Sequence, residues 1–212
     1  MKRFLLTIAW MLFSCVLLAQ SNLRLGLNFN PTISFARLTD EDKNVLDYVD
    51  NNARLGFSGG LLLDYDFAER VGFRTGLQIV QKGYKFSGFN DAVAKVGFTT
   101  IEIPLALKMR SGELAEGLHL RGLFGLQMGI NVGAVTTTEL PNGDKLTNRK
   151  MDNYNTFTPD FLVGLGLEFD AAEIGKIDVG LSYHHGLARI TKSDIGFRAL
   201  MNYFSLDLGF FF

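Results

Sequence analysis

The last eight residues of the chain alternate strictly between two faces, and the chain ends on an aromatic side chain. One face carries Leu206, Leu208, Phe210 and Phe212, and the other carries Ser205, Asp207, Gly209 and Phe211. Successive side chains of a β-strand point to opposite sides, so this segment predicts a strand that stays apolar on one face to its end. Such an ending is typical of the closing strand of an outer-membrane β-barrel. The feature predicts an architecture and a compartment, but no activity.

The first 19 residues are expected to form a cleaved signal peptide. Lys2 and Arg3 supply the charged start, residues 4–18 are apolar, and Ala19 is small enough for a cleavage site. Cleavage is expected after Ala19 or one residue later, which leaves residues 20–212 as one barrel domain in the cell outer membrane. An uncleaved anchoring helix is the alternative.

Cys15 is the only cysteine, and it lies within this leader. Lipid attachment there is a second alternative, although Phe13 is bulky for a lipidation site. With the leader removed, no thiol remains for a disulfide, a thiolate catalyst or a Cys-ligated metal.

The composition narrows the class of protein further. Charged residues make up 20% of the chain and the net charge is -1, so no nucleic-acid partner is expected. Beyond the leader there is no apolar run of the roughly 18 residues that a membrane-spanning helix needs. The chain has 23 Gly, 19 Phe and only 4 Pro, which favours closely paired strands because proline cannot donate to a strand ladder.

Period-two alternation predicts eight strands, each long enough to cross a bilayer as a tilted strand. The predicted segments are 23–35, 53–67, a third from residue 70, 98–110, 118–132, 160–170, 176–187 and a last one ending at Phe212. Short connections alternate with long ones at 36–52, 87–97, 135–158 and 188–199, which is the outer-membrane pattern. The predicted fold class is therefore all-β, an eight-stranded antiparallel up-and-down transmembrane β-barrel.

The polar face of these strands carries charges of both signs. The expected inward set is Arg24, Arg54, Arg74, Lys108, Arg110 and Arg121 with Asp64, Asp66, Glu102, Glu168, Asp170, Asp178 and Asp207. Buried charges require partners, and an eight-stranded barrel is just wide enough for side chains to fill it. The sequence thus predicts a filled, polar lumen. Aromatic residues expected at the outward interfaces are Tyr65, Phe67, Phe98, Phe161, Phe169, Tyr183, Phe204, Phe210 and Phe212.

Two consecutive segments carry a family resemblance. Residues 75–84 read TGLQIVQKGY and residues 101–108 read IEIPLALK. This pattern resembles the PorT-type outer-membrane β-barrel family of Bacteroidetes, although Thr100 replaces the usual aromatic residue and Ala106 one leucine. The resemblance implies the barrel fold and, through the founding member, an association with protein secretion. It brings no catalytic or ligand residues.

Within that motif, Pro104 needs a place without a ladder partner, such as a bulge. Its neighbour Glu102 is expected to point inward as a member of a charge pair, with Lys108 and Arg121 as candidate partners.

Three histidines and two loops are candidates for a chemical role. Asp178, Ser182 and His184 share a face and resemble a Ser-His-Asp set, but a polar lining is the preferred interpretation. His185 is expected outside and His119 inside the lumen. Asp40, Glu41, Asp42, Asp47 and Asp50 form an acidic loop that lacks the glycine and closing Glu of a calcium site. Asn142-Gly143 predicts a hairpin turn within 135–158.

No catalytic, cofactor-binding or metal-binding residues are therefore assigned, and no cofactor is expected. The leading hypothesis is a non-enzymatic barrel whose external loops bind an envelope or secretion protein, with outer-membrane lipid around it. A narrow pore for small solutes is the first alternative, and a lipid-modifying enzyme is the second.

Overall fold

The structure is a computed structural model that describes residues 22–39, 50–87, 93–139, 145–150, 153–171, 175–192 and 198–212. The described residues form nine strands: β1 (Leu23–Thr39), β2 (Asp50–Ala68), β3 (Val71–Ser87), β4 (Val93–Ala115), β5 (Leu118–Glu139), β6 (Lys145–Lys150), β7 (Phe157–Asp170), β8 (Lys176–Arg189) and β9 (Arg198–Phe211). The leader, Cys15, the Asn142-Gly143 turn and most of the acidic loop lie outside the described residues.

Eight strands close into a ring, as predicted. Each pairs antiparallel with its neighbours in the order β4-β3-β2-β1-β9-β8-β7-β5, and β4 pairs with β5 to complete the circle. The remaining strand, β6, lies outside the ring. It pairs with the upper part of β5 to form a hairpin, with Val135 opposite Lys150. The hairpin expected within 135–158 is therefore confirmed in its strands.

The side chains are arranged inside out relative to a water-soluble protein. Leu61 is 50% exposed, Phe124 53% and Leu181 64%, whereas Glu102 and Arg121 inside the ring are fully buried. Because the ladder has no free edge in the ring and its outer face is apolar, this surface suits a hydrocarbon environment. No helix in the described part of the chain is long and apolar enough to cross a membrane.

The two rims of the barrel differ. The lower rim holds the tight turns Glu69-Arg70 and Glu116-Gly117 together with the described chain ends at Asn22 and Phe212. The upper rim holds the longer connections. Strands run further toward the upper rim than the alternation predicted: β1 reaches Thr39 and β5 reaches Glu139.

Pro104 lies in a gap of the β3–β4 ladder rather than in a bulge. Paired residues stop at Arg74 and Ala106 and resume at Gln78 and Glu102 with the register unchanged. The missing N–H of proline leaves the ladder incomplete there, which satisfies the requirement without an inserted residue. The expected place without a ladder partner is thus found on the β3 side, as a gap and not as the bulge suggested by the sequence, whereas on the β5 side Pro104 is paired with Gln127.

Candidate functional site

The lower half of the lumen holds a dense network of ion pairs. Asp64 accepts from Nε and Nη2 of Arg74 at 2.7 and 2.8 Å and from Nζ of Lys108 at 2.7 Å. Lys108 also reaches Glu168 at 2.5 Å, and Arg110 reaches the same carboxylate at 3.1 Å. These contacts tie β2, β3, β4 and β7 together across the interior, so the predicted pairing of inward charges is confirmed for this set.

Arg121 is the largest fully buried side chain of the network. Its Nη2 lies 2.7 Å from Asp178 and 3.4 Å from Asp207. Gly166 and Gly180, which are paired across β7 and β8, provide the space, because a Cβ on either would overlap this guanidinium. Two glycines facing one arginine are therefore part of the network and not merely flexible positions.

A second polar cluster surrounds Glu102 higher in the lumen. Glu102 accepts from Lys82 Nζ at 2.8 Å, from Gln127 Nε2 at 2.6 Å and from the Tyr203 hydroxyl at 2.7 Å. Lys82 also contacts Asp160 at 3.0 Å. Each of these residues is buried.

The predicted partners of Glu102 were wrong. Lys108 is six residues along the same strand, about 20 Å away at the strand rise, and Arg121 pairs at the level of Arg110 instead. The true partner is Lys82 of β3. It lies an even number of residues from Arg74, so the alternation along β3 predicts that both side chains point inward.

Asp178, Ser182 and His184 all face the lumen, as expected, but they do not assemble a catalytic set. The Ser182 hydroxyl donates to Asp207 at 2.5 Å, and Asp178 is held by Arg74 and Arg121. The His184 ring stacks on Tyr203, with centroids 3.9 Å apart and planes 8° from parallel. Residues two apart on one strand are about 7 Å apart, which leaves each side chain to cross-strand partners.

The other two histidines occupy their predicted sides. His119 lies inside near the lower rim, 3.7 Å from Asp170. His185 is exposed on the outer face and contacts the Tyr183 hydroxyl at 3.3 Å. No group of three or more metal-ligating side chains occurs among the described residues.

Phe211 forms the floor of the lumen. It is buried, and the Arg74 guanidinium and the Lys108 ammonium lie 4.8 and 5.8 Å from its ring centroid. Gly26 makes room for the ring, because a Cβ there would come within 2.7 Å of it. The next residue, Phe212, points outward and is 64% exposed.

This arrangement predicts that alanine substitutions of two adjacent aromatic residues lower the free energy of unfolding by different amounts. Phe211→Ala is expected to lower the free energy of unfolding by about 3–5 kcal/mol, since it opens a cavity beneath two buried cations. Phe212→Ala removes only outer-face contact and should cost about 1–2 kcal/mol. Urea unfolding in phospholipid vesicles measures both. Equal losses would show that Phe211 does not support the network.

An apolar cluster closes the upper part of the lumen, which the sequence did not predict. It comprises Ala36, Leu38, Tyr84, Val96, Phe98, Ala134, Ile190, Ala199 and Met201, with Tyr154 packed against it. The prediction of a polar lumen is thus confirmed for its lower and middle parts, whereas apolar side chains predominate in its upper part. Phe98 is 2% exposed, so its assignment to the outward aromatic set was wrong. It lies four residues from Glu102, and alternation places both on the inner face.

One inward cation lies outside the ion-pair networks. Arg54 has no ion pair among the described residues, and its guanidinium lies against Gly83 and Gly97. It lines a cavity of ≈ 370 Å³ together with Phe98, Ala134 and Tyr154 of the upper lumen. By contrast, the void between the lower network and the Glu102 cluster measures only ≈ 40 Å³, room for a few water molecules.

A closed ring with an apolar outer face and a lumen filled by its own side chains defines a small integral outer-membrane β-barrel. A family model described as an outer membrane protein beta-barrel domain matches residues 18–192. The chain belongs to this family, and the outer membrane is its location.

The chain is similar to several solved structures, of which the first described here shares its fold. OprG of Pseudomonas aeruginosa is 9% identical, covers 91% of this chain and 96% of its own, and has a TM-score of 0.54. Neisserial surface protein A is 11% identical, with coverages of 87% and 95% and a TM-score of 0.41. Ail of Yersinia pestis, solved with a heparin analogue, is 14% identical, with coverages of 88% and 99% and a TM-score of 0.35. No curated protein matches the chain.

Proposed function

We propose that this protein is a closed, non-enzymatic barrel that acts through its upper rim by binding an envelope or secretion protein. The observation that carries the proposal is that two sets of side chains fill the lumen: ion pairs in its lower part and an apolar cluster in its upper part. Side chains that satisfy one another across the ring stabilise a scaffold and leave little room for solute passage. Recognition then falls to the surfaces beyond the membrane.

The upper rim offers a suitable surface. β4 and β5 have 23 and 22 residues, about twice the length that a bilayer requires. They carry the β5–β6 hairpin, whose backbone pairing extends β5 above the point where β7 begins. A paired projection of this kind supports binding of a protein partner.

The proposal includes membership of the PorT-type family within the larger family of outer-membrane β-barrels. The segments that resemble the PorT-type family are neighbours in the sheet, with Ile79 opposite Ile101 and Gln78 opposite Glu102. The resemblance supports a role in secretion or envelope assembly in a Bacteroidetes cell.

Site-specific crosslinking tests the proposal directly. A photoreactive residue at Thr137 on the β5 extension is expected to capture one recurring envelope protein in intact cells. The same residue at Glu69, in the lower turn, serves as the matched control and should not capture it. No adduct from Thr137, or the same adduct from both rims, would contradict upper-rim binding.

The alternatives have their own readouts. In planar bilayers the purified barrel is expected to show no stepwise conductance; steps would favour the small-solute pore. Incubation with outer-membrane lipids is expected to leave them intact. Lipid cleavage that is lost in His184→Ala would instead establish the enzyme.

A further inference from the structure

Three arginines lie together on the outer wall of the barrel near its upper rim. Arg37 of β1 and Arg189 of β8 are both paired with Leu200 of β9, one on each side of it. Arg198 lies two residues above Leu200 on β9, opposite Thr39. We call Arg37, Arg189 and Arg198 the rim arginine cluster.

The burial of neighbouring residues fixes the direction of these side chains. Ala36 and Leu38 on either side of Arg37, and Ala199 next to Arg198, are buried in the apolar cluster of the upper lumen. Strand alternation therefore sends the arginines to the opposite, outward face. Arg37 is exposed there, and Arg198 is partly exposed.

The rim arginine cluster lines a groove of ≈ 450 Å³. Its other lining residues in the described part of the chain are Thr39, Leu187 and Leu200, none of which is acidic. Arg37 and Arg198 form no ion pair with the described residues, and Nε of Arg198 is buried without a hydrogen-bond partner among those residues. Arg74, Arg110 and Arg121 inside the barrel each reach two carboxylates, so Arg37 and Arg198 differ from the arginines of the lumen.

The position of the groove relative to the membrane follows from the aromatic residues below it. Phe204 stacks with Phe35 at 6.2 Å and lies 4.8 Å from Tyr183 on the outer wall. Aromatic girdles mark the membrane–water interface of outer-membrane barrels. Arg37 is two residues above Phe35, about 7 Å along the strand, which places the cluster at the level of lipid headgroups.

We propose that the rim arginine cluster binds the phosphate group of a phosphorylated glycolipid in the outer leaflet. Guanidinium groups match phosphate oxygens in paired, charge-assisted hydrogen bonds, and Nε of Arg198 is such a donor that no described residue occupies. Leu187 and Leu200 offer apolar contact to the sugar or the first acyl carbons of the same lipid. The upper rim faces the outer leaflet because the longer connections of such barrels are extracellular.

Lipid titration followed by native mass spectrometry tests this site. The barrel in detergent micelles is titrated with bis-phosphorylated lipid A and, separately, with the same lipid after dephosphorylation. Wild type is expected to bind the phosphorylated form about tenfold or more tightly, and R37A/R198A should lose that preference. R70A removes an arginine from the lower turn and is expected to bind like wild type.

Several outcomes would overturn the assignment. If the wild-type barrel binds the two lipids equally well, the phosphate group is not what the site recognises. This comparison needs no variant. Complete competition by inorganic phosphate at the lipid concentration would indicate a free-anion site rather than a lipid site. A loss of thermal stability of R37A/R198A in lipid-free micelles would assign the arginines to pairs within the chain.

Discussion

Glu102→Leu is expected to lower the free energy of unfolding of the barrel by about 3–5 kcal/mol. The carboxylate is fully buried and accepts hydrogen bonds from Lys82, Gln127 and Tyr203. Leucine has a similar volume but accepts none of them, so it leaves the buried Lys82 ammonium with Asp160 as its only carboxylate among the described residues. Urea unfolding in phospholipid vesicles, followed by far-ultraviolet circular dichroism, measures the loss.

A double-mutant cycle separates this effect from a general loss of packing. K82M/E102L removes both charges, and its cost should differ from the sum of the single costs by about 1 kcal/mol or more. Glu116→Gln, in the exposed lower turn, changes a carboxylate that lies outside the lumen and should stay near the wild-type value. Additive single costs would show that Lys82 and Glu102 do not act as a pair.

Gly180→Val is expected to be comparably damaging, with a loss of about 3 kcal/mol or more, because the added side chain displaces a buried charge. A Cβ at Gly180 would lie 2.5 Å from Nη2 of Arg121 and 2.6 Å from the Leu165 carbonyl oxygen. Arg121 would have to leave Asp178, and that carboxylate is itself buried. The same unfolding assay measures the change.

Gly133→Val is the control, since it introduces the same side chain at a glycine of another strand, β5. A Cβ at Gly133 meets no heavy atom within 4 Å, so its cost should stay within about 1 kcal/mol. If the two valine variants lose stability equally, the loss comes from replacing a glycine within a strand and not from filling the space that Arg121 requires.

The direction of each charged side chain was predictable from the sequence, but its partners were not. Alternation places Asp64, Glu102 and Glu168 on the inner face from local spacing alone. Which cation each one meets depends on register and on which strands face one another across the ring. Asp64 meets Arg74 across a paired strand, whereas Lys108 reaches it from a strand that is not its neighbour.

The change from a polar to an apolar lumen was also beyond local patterns. Ala36, Val96 and Met201 are inward residues at the upper ends of three strands, and each alone is compatible with either face. Extension of the strands past the predicted ends brings them together, because the closed ring stacks inward residues at the same height. The upper cluster is therefore a product of barrel closure.

The sequence by itself determined the all-β class, the eight-stranded ring and which of its two rims carries the short turns. Period-two alternation and connection lengths are local properties, so they can be read along a single chain. Tertiary structure alone decided the partners of Glu102, the separation of Ser182 from His184 and the meeting of Arg37, Arg189 and Arg198 on one wall. These features join residues that are distant in sequence, and only strand register and ring closure bring such residues into contact.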